Sequence, residues 1–325
     1  MWGNRLGWTI SLLIVLATAG MLLLIVRGPG RTAPTAFSSD SRHFQPLQLP
    51  APGADVALDE RSDANATYRE AIELYLAERG RYDDFAAFGR IESSAVKRLA
   101  AVEKLIAASA GDNATVFADR PGEIINYDHT KPPIEALRGL GRVLVDRLAL
   151  LNQRAGNQEQ AQRYAGAVFI LGRRLCEERL CYAELDVGLE LLGKATPLLI
   201  TAAEKSGQAD RAVALKAFDQ QRLALVREQI EPVLRVVRSI DGDVVGRHAG
   251  DMFELARRSP ERMWRAEAIL ALGRLRFFAG GGATASDQRE ATRLVTELAE
   301  KDADPIVRAA AIAARDLTPE KHRMQ

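Results

Sequence analysis

The sequence predicts an all-α fold: an α-solenoid-like stack of antiparallel helix hairpins behind a single N-terminal transmembrane helix. Three observations predict it. Alanine and leucine dominate over valine and isoleucine within the 47% of apolar residues, and aromatics are only 6%; unbranched side chains lose little freedom on entering a helix. Residues 8–26 form an uncharged apolar run. Beyond residue 64, segments of helical period end repeatedly in a glycine.

Residues 1–7 are a short N-terminal tail. Arg5 and Arg27 bracket a stretch with no charged side chain, and within it Trp8 to Val26 reads WTISLLIVLATAGMLLLIV. Nineteen helical residues rise by roughly 28 Å, about the thickness of the hydrocarbon core. Trp2 and Trp8 stand at the head of the span, where amphipathic rings favour the interface. Ala17-Thr18-Ala19 resembles a cleavage site, but cutting there leaves Met21 to Val26 as an apolar new terminus. A signal peptide also has a shorter apolar run, of about 7–15 residues, so the length favours a retained signal anchor. Arg5 lies on one side and Arg27 and Arg31 on the other, so the basic-residue rule barely discriminates orientation. A short N-terminus before a long C-terminal domain follows the signal-anchor pattern. The expectation is a single-pass membrane protein whose helical domain is extracytoplasmic.

From residue 27 to residue 63 the composition changes. Pro29, Pro34, Pro46, Pro50 and Pro52 break any helix, and Gly, Ser and Thr fill the gaps. Proline fixes φ and removes a donor, so this stretch is expected to be an extended, disordered tether. Net charge is +1, and beyond residue 31 the chain holds 41 basic against 43 acidic residues. A near-neutral body without a basic run excludes the clustered cations that bind nucleic acid.

The helical body begins with Tyr68, Ile72, Tyr75 and Leu76, spaced by three or four before Gly80. Leu144, Leu148 and Leu151 precede Gly156, and Leu198, Leu199 and Ala202 precede Gly207. Each glycine is expected to end one helix in a left-handed cap, with a second helix starting within a few residues. The junctions read GRYDDF (80–85), GNQEQA (156–161) and GQADRA (207–212). A helix-ending glycine followed five residues on by a small residue resembles the turn of tetratricopeptide repeats, and Ala161 and Ala212 fall at that small position. The last two glycines are 51 residues apart, against about 34 in that family. Of its aromatic positions Tyr82 fills one. Residues 64–246 are therefore read as irregular, tetratricopeptide-like hairpins.

The C-terminal part, residues 247–318, is more specific. LARRSPERMWRAEAILALGRL (255–275) aligns with LAEKDADPIVRAAAIAARDL (298–317) when Arg265 is placed over Arg308, an offset of 43. Asp304-Pro305-Ile306-Val307-Arg308 resembles the turn and second helix of HEAT repeats, whose period is about 40–47 residues. The resemblance implies stacking and protein binding. It also implies that Arg308 pairs with an acid at the turn, Asp304 or Asp302, or with one in the adjacent repeat. Gly280-Gly281-Gly282 forms a break between the two copies, and residues 319–325 are a tail.

Candidate chemistry is sparse. Gly188-x-x-x-x-Gly193-Lys194 matches most of a phosphate-binding loop, but Ala195 stands where Ser or Thr would hold magnesium, and Leu189-Glu190-Leu191-Leu192 continues a helix. Asp241-Gly242-Asp243 opens like a calcium loop, but Met252 occupies the place of its bidentate glutamate. Tyr127-Asp128-His129 lies in a loop expected from Asp119 to Pro133. His43, His129, His248 and His322 are scattered and lack zinc-ligand spacing. Cys176 and Cys181 flank a turn expected between two helices; they are either a disulfide stapling that hairpin in an oxidising compartment or two buried apolar thiols. No catalytic, metal or cofactor set emerges. The expected function is that of a membrane-anchored protein–protein interaction scaffold; the alternatives are an enzyme whose site does not show in sequence and a structural envelope protein.

Overall fold

The computed structural model describes residues 46–51, 64–80, 82, 100–110, 115–127, 131–237, 249–277 and 283–318. All belong to one compact unit, Ser39–Gln325. Among the described residues the fold is all-helical, with no strand. No helix among them is long and apolar enough to cross a membrane; the apolar run 8–26 lies outside the described residues.

Among the described residues ten helical rods follow one another, besides a short 3-10 turn at Pro121–Glu123. They are α1 (Ala64–Ala77), α2 (Ala100–Ser109), and α3, in which Pro132–Arg142, a π-helical Val143–Ala149 and Leu150–Arg154 run on as one rod. Next come α4 (Gln158–Glu178), α5 (Tyr182–Lys205), and α6, continuous through Ala209–Leu225, a π-helical Val226–Ile230 and Glu231–Val237. The last four are α7 (Ala249–Arg258), α8 (Arg262–Leu275), α9 (Ala285–Lys301) and α10 (Pro305–Arg315). Packing runs mainly between neighbours in the chain. α1 packs on α2, α3 on α4, α4 on α5, α5 on α6, α7 on α8, and α10 on both α8 and α9.

Two of the expected glycine caps are present. Gly156 has φ +81 and Gly207 φ +73. Asn157 N–H reaches back to the Asn152 carbonyl at 2.9 Å, and Gln208 N–H to that of Ala203 at 2.9 Å. These six-to-one bonds close the helix ends, and glycine meets the left-handed φ without steric cost. Ala161 and Ala212, five residues on, are buried. Gly80 differs. It has no left-handed φ, and the backbone continues right-handed, with Tyr82 N–H donating to the Glu78 carbonyl at 3.4 Å. The cause is Tyr82 itself, which is buried with its ring 5.1 Å from that of Tyr75 and draws the chain onward. Leu76, counted in the periodic face, is 37% exposed.

The expected loop from Asp119 ends earlier than predicted, because α3 starts at Pro132. Proline suits a first helical turn, where its missing N–H has no intrahelical partner. The preceding Lys131 adopts φ 36, and its ammonium donates to the Asn126 carbonyl at 3.1 Å and to that of Ile124. The expected tether also departs from a fully solvated chain. Its residues 46–51 lie on the helical body, and Leu47 is buried, because an apolar side chain amid prolines gains by leaving water.

Candidate functional site

The α4–α5 turn gathers four carboxylates. Helix α4 ends on Arg179 in the left-handed region, φ 32, where a side chain is usually avoided. Four carboxylates then hold residues 178–182 and the loop above them. Glu178 accepts from Val116 N–H at 2.5 Å and Phe117 N–H at 2.8 Å, pinning the loop ahead of α3. Glu184, in the first turn of α5, accepts from Leu180 N–H at 2.6 Å. Glu267 of α8 accepts from Tyr182 N–H at 2.8 Å, and the Tyr182 ring stacks on Trp264 with centroids 6.2 Å apart. Glu261, just before α8, receives Arg179 through Nε at 2.9 Å and Nη2 at 3.2 Å.

Burial governs the electrostatics. It pushes the Glu184 carboxyl well above the usual carboxylate range, and the nearby Glu178 charge pushes the same way. Glu178 is raised too, chiefly by burial, against the opposing backbone N–H bonds of the 116–118 loop. The second oxygen of Glu184, Oε1, is buried without a hydrogen-bond partner among the described residues.

Glu261 has a second partner. The backbone N–H of Leu47 donates to its Oε2 at 3.2 Å. Within residues 46–51, which form no regular element, Leu47 is buried, Gln48 exposed, and Leu49 and Pro50 half-buried. Leu49 and Pro50 border a small cleft that is partly open to solvent. Its other walls are Arg173, Cys176 and Glu177 of α4, Leu189 and Leu192 of α5, and Phe218 and Arg222 of α6.

The aligned C-terminal copies show how Glu261 is freed for this. Ser259 Oγ accepts from Glu261 N–H at 3.2 Å, and 43 residues on Asp302 Oδ1 accepts from Asp304 N–H at 2.9 Å. The backbone turn is thus the same. Asp304 then caps its own helix, accepting from Ile306 N–H at 2.8 Å and Val307 N–H at 3.4 Å. Glu261 occupies the same cap position and makes no such bond. Its longer carboxylate is turned outward to Arg179 and Leu47.

The predicted residues fall as follows. Arg308 does not pair with the Asp304 carboxylate, which is spent on the α10 cap; it donates to the Asp302 carbonyl at 2.9 Å. The Asp302 carboxylate pairs instead with Arg265 of the previous copy. Cys176 and Cys181 flank the expected turn, and both are free and buried in this structure. Burial pushes both thiols up, Cys181 to about 12, so neither is a thiolate nucleophile at neutral pH. Gly188 and Gly193 sit within α5, not in a phosphate loop. A Cβ at Gly188 would lie 2.8 Å from the Gly172 carbonyl, so this glycine lets α4 and α5 cross closely. Lys194 pairs with Asp146 at 2.8 Å. Tyr127 is an anchor: its hydroxyl donates to the Leu270 carbonyl at 2.6 Å, and the Arg274 guanidinium lies 5.4 Å from its ring. Asp128, Asp241, Gly242, Asp243 and all four histidines lie outside the described residues.

Sequence reasoning missed Glu178, Glu184, Glu261, Glu267 and Arg179. A signal existed for one of them, because the 43-residue offset already set Glu261 over Asp304. Comparison with protein-family models, curated proteins and solved structures returns no match for this chain.

Proposed function

We propose that this chain is a membrane-anchored helical-repeat protein that acts as a protein–protein interaction scaffold. In this reading residues 8–26 cross the bilayer once, and the helical body works on the extracytoplasmic side as a solenoid-like stack. Neighbour-to-neighbour helix packing supports the stack, since in solenoids each unit contacts chiefly the next. The repeated turn hydrogen bonds at Ser259 and Asp302 support the HEAT-like reading of residues 247–318. The observation that carries the function is segment 46–51 packed on the helical body, its backbone held by a carboxylate and Leu47 buried, which is how such a surface would hold a partner segment.

Two measurements test this. Cross-linking in native membranes, from photo-reactive residues at the exposed Val213 and Leu223, should give heterologous adducts of discrete mass. Only self-adducts, or none, would count against a scaffold. A topology reporter fused after Gln325 should report the extracytoplasmic side; cytoplasmic signal would overturn the orientation.

A further inference from the structure

We infer that the outer face of α10 is a self-pairing surface. Two copies of this chain meet there with their α10 helices antiparallel, Arg308 of each against Asp316 of the other and Ile312 against its own counterpart. The inference goes beyond the scaffold reading and stands without it.

Three observations converge on it. The first is a face that one C-terminal copy covers and the other leaves open. At the 43-residue offset, Arg265, Ile269 and Gly273 of α8 correspond to Arg308, Ile312 and Asp316 of the second copy. On α8 the second copy lies over this stripe. Arg265 pairs with the Asp302 carboxylate, and a Cβ added at Gly273 would lie 2.8 Å from that of Ala314. Ile269, between them, is fully buried. On α10 Ile312 is 39% exposed. Arg308 has no carboxylate partner among the described residues; it donates only to the Asp302 carbonyl. The second is a departure between the copies. Asp316 stands where Gly273 lets α10 cross closely, so a further repeat stacked in the same way would meet a charged side chain. An antiparallel copy meets none of that difficulty. A two-fold axis at Ile312 sets each Arg308 opposite the partner's Asp316, because both lie four residues from Ile312 on opposite sides. Asp316 is available for this, since its pair with the adjacent Arg315, at 3.0 Å, joins two exposed side chains and contributes little. The third is shape. Residues 308, 312 and 316 form one ridge of four-residue spacing, the kind that interdigitates in the commonest helix crossing. Ala309 and Ala313, half-buried beside Ile312, keep the helix surface low enough for a second helix to approach.

Helix α10 has 11 residues and is about 16 Å long. One such helix pair buries less than the roughly 1,200 Å² at which standard interfaces begin, so the contact is weak and reversible. Cross-linking reads it better than a mass does. The probe is the full-length protein carrying Ile312→Cys, in intact cells treated with a short, membrane-permeant bis-maleimide. The native Cys176 and Cys181 are buried and stay silent. The two-fold axis sets the two introduced thiols side by side, so a covalent dimer should form. Val213→Cys, exposed on α6, should give none. Added to Ile312→Cys, Asp316→Arg turns two ion pairs into two repulsions and should lower the dimer yield about fivefold. Asp316→Glu, which keeps the charge, should preserve the yield. No more dimer from Ile312→Cys than from Val213→Cys overturns the inference. So does a yield that Asp316→Arg leaves unchanged, or that Asp316→Glu lowers as far as Asp316→Arg does. Adducts of Ile312→Cys to other proteins without the dimer assign the face to a different partner and overturn it too.

Discussion

The turns before α8 and α10 share a backbone and differ in one methylene. At both, a side-chain oxygen two residues upstream accepts the N–H of the cap residue, from Ser259 in one and Asp302 in the other. The aspartate at 304 folds back onto its own helix, as short carboxylates at caps do. The glutamate at 261 reaches away, to Arg179 and to the Leu47 backbone. The Asp304 carboxylate is thus confined to its own helix. The other trades its cap for contacts that join α4, α8 and the 46–51 segment. A repeat turn becomes a docking post by lengthening a single side chain.

Four substitutions test this contrast. Glu261→Ala should have the largest effect, about 3–5 kcal/mol in urea denaturation, because it leaves the Arg179 guanidinium without its buried carboxylate. Arg179→Gly relieves roughly 1 kcal/mol of left-handed strain but strips Glu261 of its charged donor. Its net cost should be smaller, about 1–3 kcal/mol, seen in the same titration. Asp304→Ala removes only a local cap and should cost about 1 kcal/mol. If Asp304→Ala costs as much as Glu261→Ala, the two turns are not functionally distinct.

Glu184→Gln probes the buried carboxyl pair beneath the turn, and near pH 5 its effect should be the smallest. Because Glu178 and Glu184 are raised in the folded state, the native protein holds protons that the unfolded chain releases. Their contribution to stability is therefore greatest below the ordinary glutamate value and is lost as pH rises above it. Melting temperature should fall as pH climbs from about 5, and Glu184→Gln, which removes one of the two titrating carboxyls, should flatten that fall. An identical slope in wild type and variant would exclude this pair as its source.

Local features were legible in the sequence and distant ones were not. Gly156 and Gly207 announced their caps because a left-handed φ is a property of the residue itself. The break in CEERLC was readable from the helical period on either side. Gly80 misled, because the burial of Tyr82 against Tyr75 outweighs a glycine's tendency to stop a helix. Glu261 was visible as an aligned position, but its partners lie 82 and 214 residues away in sequence, and no local pattern encodes them. The same holds for Glu178, whose donors are the backbone groups of a loop 61 and 62 residues upstream. Residues 46–51 read as tether because prolines dominate the stretch. That composition excludes a helix, yet it does not keep Leu47 from packing on the helical body.

The docked segment is the hinge of the whole account, and the Leu47 amide reports on it directly. In amide hydrogen exchange on the full-length protein, Leu47 N–H should be protected well beyond the exposed Gln48, and Glu261→Ala should remove that protection. Exchange of Leu47 at the rate of an unstructured chain in the wild-type protein would contradict the account.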